Sequence, residues 1–138
     1  MVKTDIIRFS TSGTGDIKNL TDKIADIINN SEINNGTVTI FAPGSTTGIT
    51  TIEYEPGLKV DFPEIMEKLI PSDIEYKHDQ TWHDGNGFSH LRSALVGVDI
   101  TVPIVDSSMT LGTWQQIIFI EFDNRSRERH IVVQIMGE

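Results

Sequence analysis

The chain has no cysteine. That excludes a disulfide framework, a thiolate nucleophile and thiolate-bound zinc, so any metal must sit on nitrogen and oxygen donors. It also lacks an apolar run of the ~20 residues needed to cross a bilayer. Its opening residues, MVKTDIIRFST, contain neither an apolar signal core nor a small-residue cleavage site. A soluble, cytoplasmic protein with no membrane partner is expected. Positive charge is scarce: 11 Lys and Arg stand against 20 Asp and Glu, for a formal net charge of −9. Binding nucleic acid requires clustered basic side chains to neutralise phosphates, so nucleic acid is not an expected partner. The one basic run, NRSRERH at 124–130, reads as a charged hairpin turn.

What is present is concentrated. At 138 residues with 38% hydrophobic and 22% charged content, the chain reads as one globular domain over 1–138 with a substantial core. Residues 78–90, HDQTWHDGNGFSH, hold three of the four histidines at a spacing of H-x4-H-x6-H, with two aspartates and an asparagine around two glycines. Imidazole titrates near neutral pH and is the commonest metal ligand, so this density points to a metal site or a polar small-molecule pocket. In the metal reading, His78, His83 and His90 surround one divalent ion and leave a position open for water or substrate. Zinc suits such nitrogen donors best, and manganese also fits. Asp84 or Glu53 would orient an imidazole or act as general base toward the bound water. The competing reading is three hydrogen-bonded histidines of a polar loop.

Periodicity supplies the frame. Val2–Ser10 predicts a strand. Leu20, Ile24, Ile27 and Ile28 recur at helical spacing and predict an amphipathic helix ending near Asn29-Asn30. Strands are predicted at 37–41 and 49–54, the second placing Thr51 and Glu53 on one face. The linker between them, APGSTTG, can offer backbone N–H groups and the hydroxyls of Ser45, Thr46 and Thr47 to an anion, and serves equally as a plain turn. Phe62, Ile65, Met66, Leu69 and Ile70 predict a helix from Asp61, with Pro63 in its first turn and Pro71 closing it. The stretch 78–87 reads as a loop, followed by a helix from near Asn86. At about 100° per residue, Phe88, Leu91 and Leu95 share the predicted core side. Asn86, His90, Ser93 and Gly97 fall opposite, leaving room for a ligand beside His90. Pro103 places the strand at 100–105 at an edge or bulge. The strands at 117–123 and 130–136 are predicted to pair as a hairpin across the charged turn. Strands interrupted by helices without regular βαβ alternation indicate an α+β fold.

Three blocks then stand out together: Glu53 closing PGSTTGITTIE, the segment from His78 through GNGFSH to LRSALVG, and LGTWQQ at 111–116 before a strand ending in EFD. In order and spacing they resemble the YjbQ-like family, over about Gly36 to Gly137. The resemblance implies a single compact α+β domain, its mixed and largely antiparallel sheet packed by two to three helices, assembled as a homotrimer. It also implies a secondary thiamine-phosphate synthase activity, joining an aminopyrimidine diphosphate to a thiazole phosphate with release of pyrophosphate. That activity belongs to an enzyme whose principal small-molecule substrate is undefined. His78, His90, Glu53, Trp114 and Gln115 match the family's recurrent polar residues. Many bacterial members carry a histidine where this chain has Gly44, and His83 is expected to supply the missing imidazole.

A diphosphate substrate calls for positive charge where pyrophosphate leaves. Lys77 and Arg92 adjoin the histidine segment, and Ser45 and Thr46 would add donors. Trp114 offers a flat face for a heteroaromatic ring, with Gln115 beside it as a hydrogen-bonding group. Arg92 reads more simply as a surface residue, and Trp114 as core or interface. Three function classes follow: a small-molecule transferase with a histidine-lined site, a metal-dependent hydrolase with incidental thiamine-related activity, and a non-catalytic ligand-binding trimer.

Overall fold

The computed structural model describes Met1–Glu138. In chain order the elements are β1 (Val2–Ser10), β2 (Ile17–Asn19), α1 (Thr21–Ser31), β3 (Gly36–Phe41), β4 (Thr47–Ile52), α2 (Pro56–Leu69), α3 (Lys77–Trp82), α4 (Gly87–Val96), β5 (Asp99–Val105), β6 (Ser108–Met109), β7 (Gln116–Glu121) and β8 (Glu128–Gly137). A larger sheet runs β1-β8-β3-β5-β6 and a smaller one β2-β7-β4. The largely antiparallel pairing expected for this α+β domain extends here to every ladder. No helix is long and apolar enough to cross a membrane.

One apolar core joins the two sheets. Val38, Ile40, Ile131, Val133 and Ile135 of the larger sheet meet Ile49, Ile117 and Phe119 of the smaller one, and Leu20 with Ile24 and Ile28 of the α1 it precedes closes the side. The α1 stripe is thus buried as its periodicity predicts, and the side chain of Asn19 accepts a hydrogen bond from the Thr21 N–H to start the helix. β7 is covered on both faces. Its alternate residues Ile118 and Ile120, with Phe122 beyond, form a second cluster with Met66 of α2. Pro103 lies in β5, and its carbonyl accepts from Thr110 on the side away from β3. Backbone N and C=O of one residue point the same way in a strand, so the missing N–H interrupts no bond to β3.

Four expectations are corrected. The strands at 117–123 and 130–136 do not form a hairpin: β7 pairs with β2 and β4, whereas β8 lies between β1 and β3. The chain changes sheets at the charged turn, and ion pairs between its arms replace the ladder. α2 begins at Pro56, not Asp61, because the Glu55 carboxylate accepts from the N–H groups of Gly57 and Leu58 and Pro56 is preset for a first helical turn. Pro63 is therefore interior to the helix. Residues 77–82 are helical rather than loop. Asp79 accepts from the Tyr76 N–H at 2.9 Å and satisfies an open donor at the helix start.

The fourth correction concerns α4, which packs inside out. Phe88 is buried, but Leu91 and Leu95 are 46% and 60% exposed, while Asn86, Ser89, Arg92 and Ser93 face inward. Small side chains allow the helix to lie close on β4, and a Cβ at Gly48 would sit 2.9 Å from Val96 of α4. The inward polar groups of Asn86 and Arg92 are largely paired, which makes their burial tolerable.

Candidate functional site

The first turn of α4, the loop before β4 and the turn after β7 meet at one end of the smaller sheet. Backbone bonding fixes this junction: the Phe122 N–H donates to the Thr46 carbonyl at 2.9 Å. His90 of α4 faces His78 of α3, with ring centroids 4.3 Å apart and planes tilted by 40°. A carboxylate staple holds the two helices in this relation. Asp79 accepts from Tyr76 N–H with one oxygen and from Gly87 N–H, at the start of α4, with the other, both at 2.9 Å. Those two backbone bonds hold its carboxyl below the usual range.

His78 Nδ1 lies 3.8 Å from an Asp84 oxygen and 4.0 Å from an Asp79 oxygen, both beyond hydrogen-bond reach. It is buried and has no partner. The ligand atoms of His78, Asp79 and Asp84 all lie within 4.8 Å of one another. Burial first, and the neighbouring His78 second, push the His90 imidazole below its ordinary 6.5, against the opposing pull of Asp123 and Asp84.

Beneath the imidazoles lies a buried polar base. Asp123 is fully buried, and burial disfavours its charge. Hydrogen bonds from Arg127, the Asn124 N–H and Asn86 outweigh that cost and hold its carboxyl below the usual range. Glu121 is also fully buried. Arg129 grips it in a two-point fork, Nε at 2.8 Å and Nη2 at 2.6 Å. Arg129 Nη2 also donates to Thr46 Oγ1 at 2.9 Å. An open cleft of ≈ 390 Å³ runs along this corner, lined by Gly44, Ser45, His90, Ser93, Gly97 and Asp99 among others.

Comparison with known proteins supplies the family. The model for UPF0047 protein YjbQ-like matches residues 5–138. The chain belongs to the UPF0047, YjbQ-like family. A UPF0047 protein of Archaeoglobus fulgidus is 35% identical over 130 residues, covering 94% of this chain and 98% of that protein. Another from Methanothermobacter thermautotrophicus is 36% identical over 137 residues, covering 99% and 94%. The crystal structure of a YbjQ-like protein of unknown function from Sulfolobus solfataricus superposes with a TM-score of 0.89 at 30% identity, covering all of both chains.

In this UPF0047 chain the structure brings together six of the residues singled out from sequence: Ser45, Thr46, His78, Asp84, Asn86 and His90. It keeps the others apart. His83 ends α3 in a left-handed conformation, is exposed, and does not join the cluster of His78, Asp79 and Asp84. The three-imidazole site, and His83 as the substitute at Gly44, are therefore corrected to two facing imidazoles beside two carboxylates. Arg92 is neither a surface residue nor part of the cleft. It is 2% exposed, donates to Glu67 at 2.7 Å and to the Ile70 carbonyl, and lies over the Phe88 ring.

Glu53, Trp114 and Gln115 gather at the opposite end of the sheet. Glu53 follows the last residue of β4, and Gln115 donates to Thr51 Oγ1 at 3.0 Å. Five residue steps along β4 separate Thr47 from Ile52, about 17 Å at the usual rise. Trp114 is 71% exposed, and is therefore not core.

The buried base was missed: Glu121, Asp123, Arg127 and Arg129 carried no role in the sequence reading. Strand parity is the signal that finds them. Glu121 and Asp123 continue the face of Ile117 and Phe119, and Arg127 and Arg129 continue that of Ile131, Val133 and Ile135. Charged residues extending a core face from both arms of a turn are expected to meet.

Proposed function

We propose that this chain is a small-molecule enzyme acting on a phosphorylated substrate in the cleft beside α4, with His78 and His90 at its centre. One observation carries the reading: two imidazoles from different helices face each other at 4.3 Å beside an open cleft. His90 lines that cleft and is the group placed to give or take a proton there. The reaction implied by the family resemblance breaks the bond between the pyrimidine methylene carbon and the diphosphate oxygen, which departs with the electron pair. A new C–N bond forms from the thiazole nitrogen. The chain's part would be to align the two halves and hold the charge that builds on the departing diphosphate.

Formation of thiamine phosphate from the two phosphorylated halves, measured with purified wild type and His90→Ala, is the deciding assay. A fall on the order of 100-fold in the variant is expected if His90 donates a proton to the departing diphosphate oxygen. Equal residual rates in the two proteins would discard the reading.

A divalent ion, zinc or manganese, is the second part of the proposal. The orphaned Nδ1 of His78 and the carboxylates of Asp84 and Asp79 fit such an ion, though both Asp79 oxygens already accept backbone N–H bonds and would coordinate through their remaining lone pairs. Bound there, it would supply Lewis-acid stabilisation of phosphate charge. This donor set, one nitrogen with two carboxylates, also favours the metal-dependent hydrolase as the runner-up. Dialysed wild type is expected to retain metal that His78→Ala loses. No stoichiometric metal, together with no gain in Tm on adding zinc or manganese, would remove the ion from the proposal. Self-association as a homotrimer completes it, supported by the apolar side chains that α4 turns outward, Leu91 and Leu95.

A further inference from the structure

The Arg129–Glu121 pair leaves part of the guanidinium uncommitted. Nε and Nη2 are fixed by the Glu121 carboxylate and Thr46 Oγ1, while Nη1 has no partner within the protein. It lies beside Gly44: a Cβ built there would be 3.4 Å from Arg129 Nη1 and 3.9 Å from both the hydroxyl and the methyl of Thr47. Thr47 is 1% exposed, and its hydroxyl is buried without a hydrogen-bond partner. The missing side chain of Gly44 therefore leaves a notch onto which two unsatisfied donors converge, at the margin of the cleft lined by Gly44, Ser45 and His90.

Arg92 and Arg127 are also paired with acids, Glu67 and Asp123, so what sets Arg129 apart is its place beside Gly44 and the buried Thr47 hydroxyl. A buried hydroxyl without a partner is costly unless something meets it, and the free guanidinium N–H beside it is open to the same ligand.

We propose that this notch is the phosphate subsite of the cleft, with Arg129 Nη1, Thr47 Oγ1 and the hydroxyl of Ser45 as donors to one phosphate group of the substrate. The inference rests on reading the cleft as the substrate site. A phosphate suits the notch better than a carboxylate for a geometric reason. The planar edge of Arg129 that matches a carboxylate is already taken by Glu121, and the remaining donors approach from a strand and a loop, as a tetrahedral anion requires. Fixing the guanidinium beforehand also removes the side-chain ordering that binding would otherwise demand. Gly44 becomes a specificity-determining position, because any side chain there occupies the place of the anion.

Calorimetric titration with inorganic phosphate tests this, using wild type, Gly44→Asp and Thr47→Val, with acetate as the contrasting anion. The aspartate would place a carboxylate against Nη1 without removing the Arg129–Glu121 pair. Phosphate is expected to bind wild type, at least 10-fold more weakly to Gly44→Asp and several-fold more weakly to Thr47→Val, and acetate is expected to bind at least 10-fold more weakly than phosphate. Should Gly44→Asp fail to fold, Thr47→Val carries the test, since it keeps the shape of the side chain and removes only the hydroxyl. Equal phosphate affinity in wild type and variants, no phosphate binding to wild type, or acetate binding as tightly as phosphate would each overturn the subsite. Phosphate binding that depends on Gly44 and Thr47, in a protein whose turnover does not depend on His90, would uphold the subsite while counting against the proposed reaction.

Discussion

His90 sits among opposing influences. Burial and His78 disfavour its charged form; Asp123, beyond β7, and Asp84, in the loop before α4, favour it, and the balance lies below 6.5. The sign of the stability effect follows. Well above 6.5 the folded and unfolded imidazoles are both neutral, and His90 takes nothing from stability. As pH falls through 6.5 the unfolded chain takes its proton first, so stability drops until the folded imidazole is protonated too. Asp123 acts at lower pH: its folded value is depressed, so the stability it contributes is present above 3.8 and is lost as pH falls through the folded value. An NMR titration of metal-free protein is expected to find His90 below 6.5 and moved toward 6.5 in His78→Ala. A wild-type His90 titrating at or above its ordinary value would contradict this account.

Arg129 and Glu121 permit a second prediction at the same scale. Arg129→Ala would strand a carboxylate that is 0% exposed. Breaking a buried pair from one side costs about 3–5 kcal/mol, because the remaining charge has neither water nor partner. Urea denaturation should show that loss, and most of it should be recovered when Glu121→Gln is combined with Arg129→Met. A single variant as stable as wild type would mean that water reaches Glu121.

Among the elements, α4 is the most informative, because its burial contradicts its amphipathic pattern. Leucines at 91 and 95 would ordinarily mark the core side, yet Asn86, Ser89 and Ser93 occupy it. Arg92 secures this orientation by joining α4 to the C-terminal end of α2 through Glu67 and the Ile70 carbonyl. Glu67 is half exposed and can return to water, so Arg92→Met mainly removes bonds to a backbone carbonyl. A destabilisation of about 1–3 kcal/mol is expected by urea denaturation. A change under about 0.5 kcal/mol, the range of ordinary surface substitutions, would show that α4 is held by its other contacts.

At the scale of the whole molecule, the chain uses one turn to pass from a strand buried on both faces to a strand in the other sheet. The turn between β7 and β8 is stitched by Arg127 to Asp123 and Arg129 to Glu121, so its charges serve the interior as well as the surface. The outward leucines of α4 belong to this scale as well. Sedimentation is expected to report a trimer for wild type and a monomer for Leu91→Glu combined with Leu95→Glu, with the circular dichroism unchanged. A monomeric wild type would leave those leucines without the role proposed for them.

Local chemistry determined much of this protein from its sequence alone. β-branched runs specified most of the strands, the spacing of Leu20, Ile24 and Ile28 specified α1, and the blocks around Glu53, His78–His90 and Trp114 specified the family, because each depends on residues near one another in the chain. The tertiary structure alone decided which distant groups meet. It set His78 against His90 and left His83 in solvent, turned the polar side of α4 inward, sent β7 and β8 to different sheets, and brought Arg127 and Arg129 to buried acids. It also placed Glu53, Trp114 and Gln115 a strand length from the imidazoles. Periodicity tells which residues share a face; which partner covers that face depends on the packing of the whole chain.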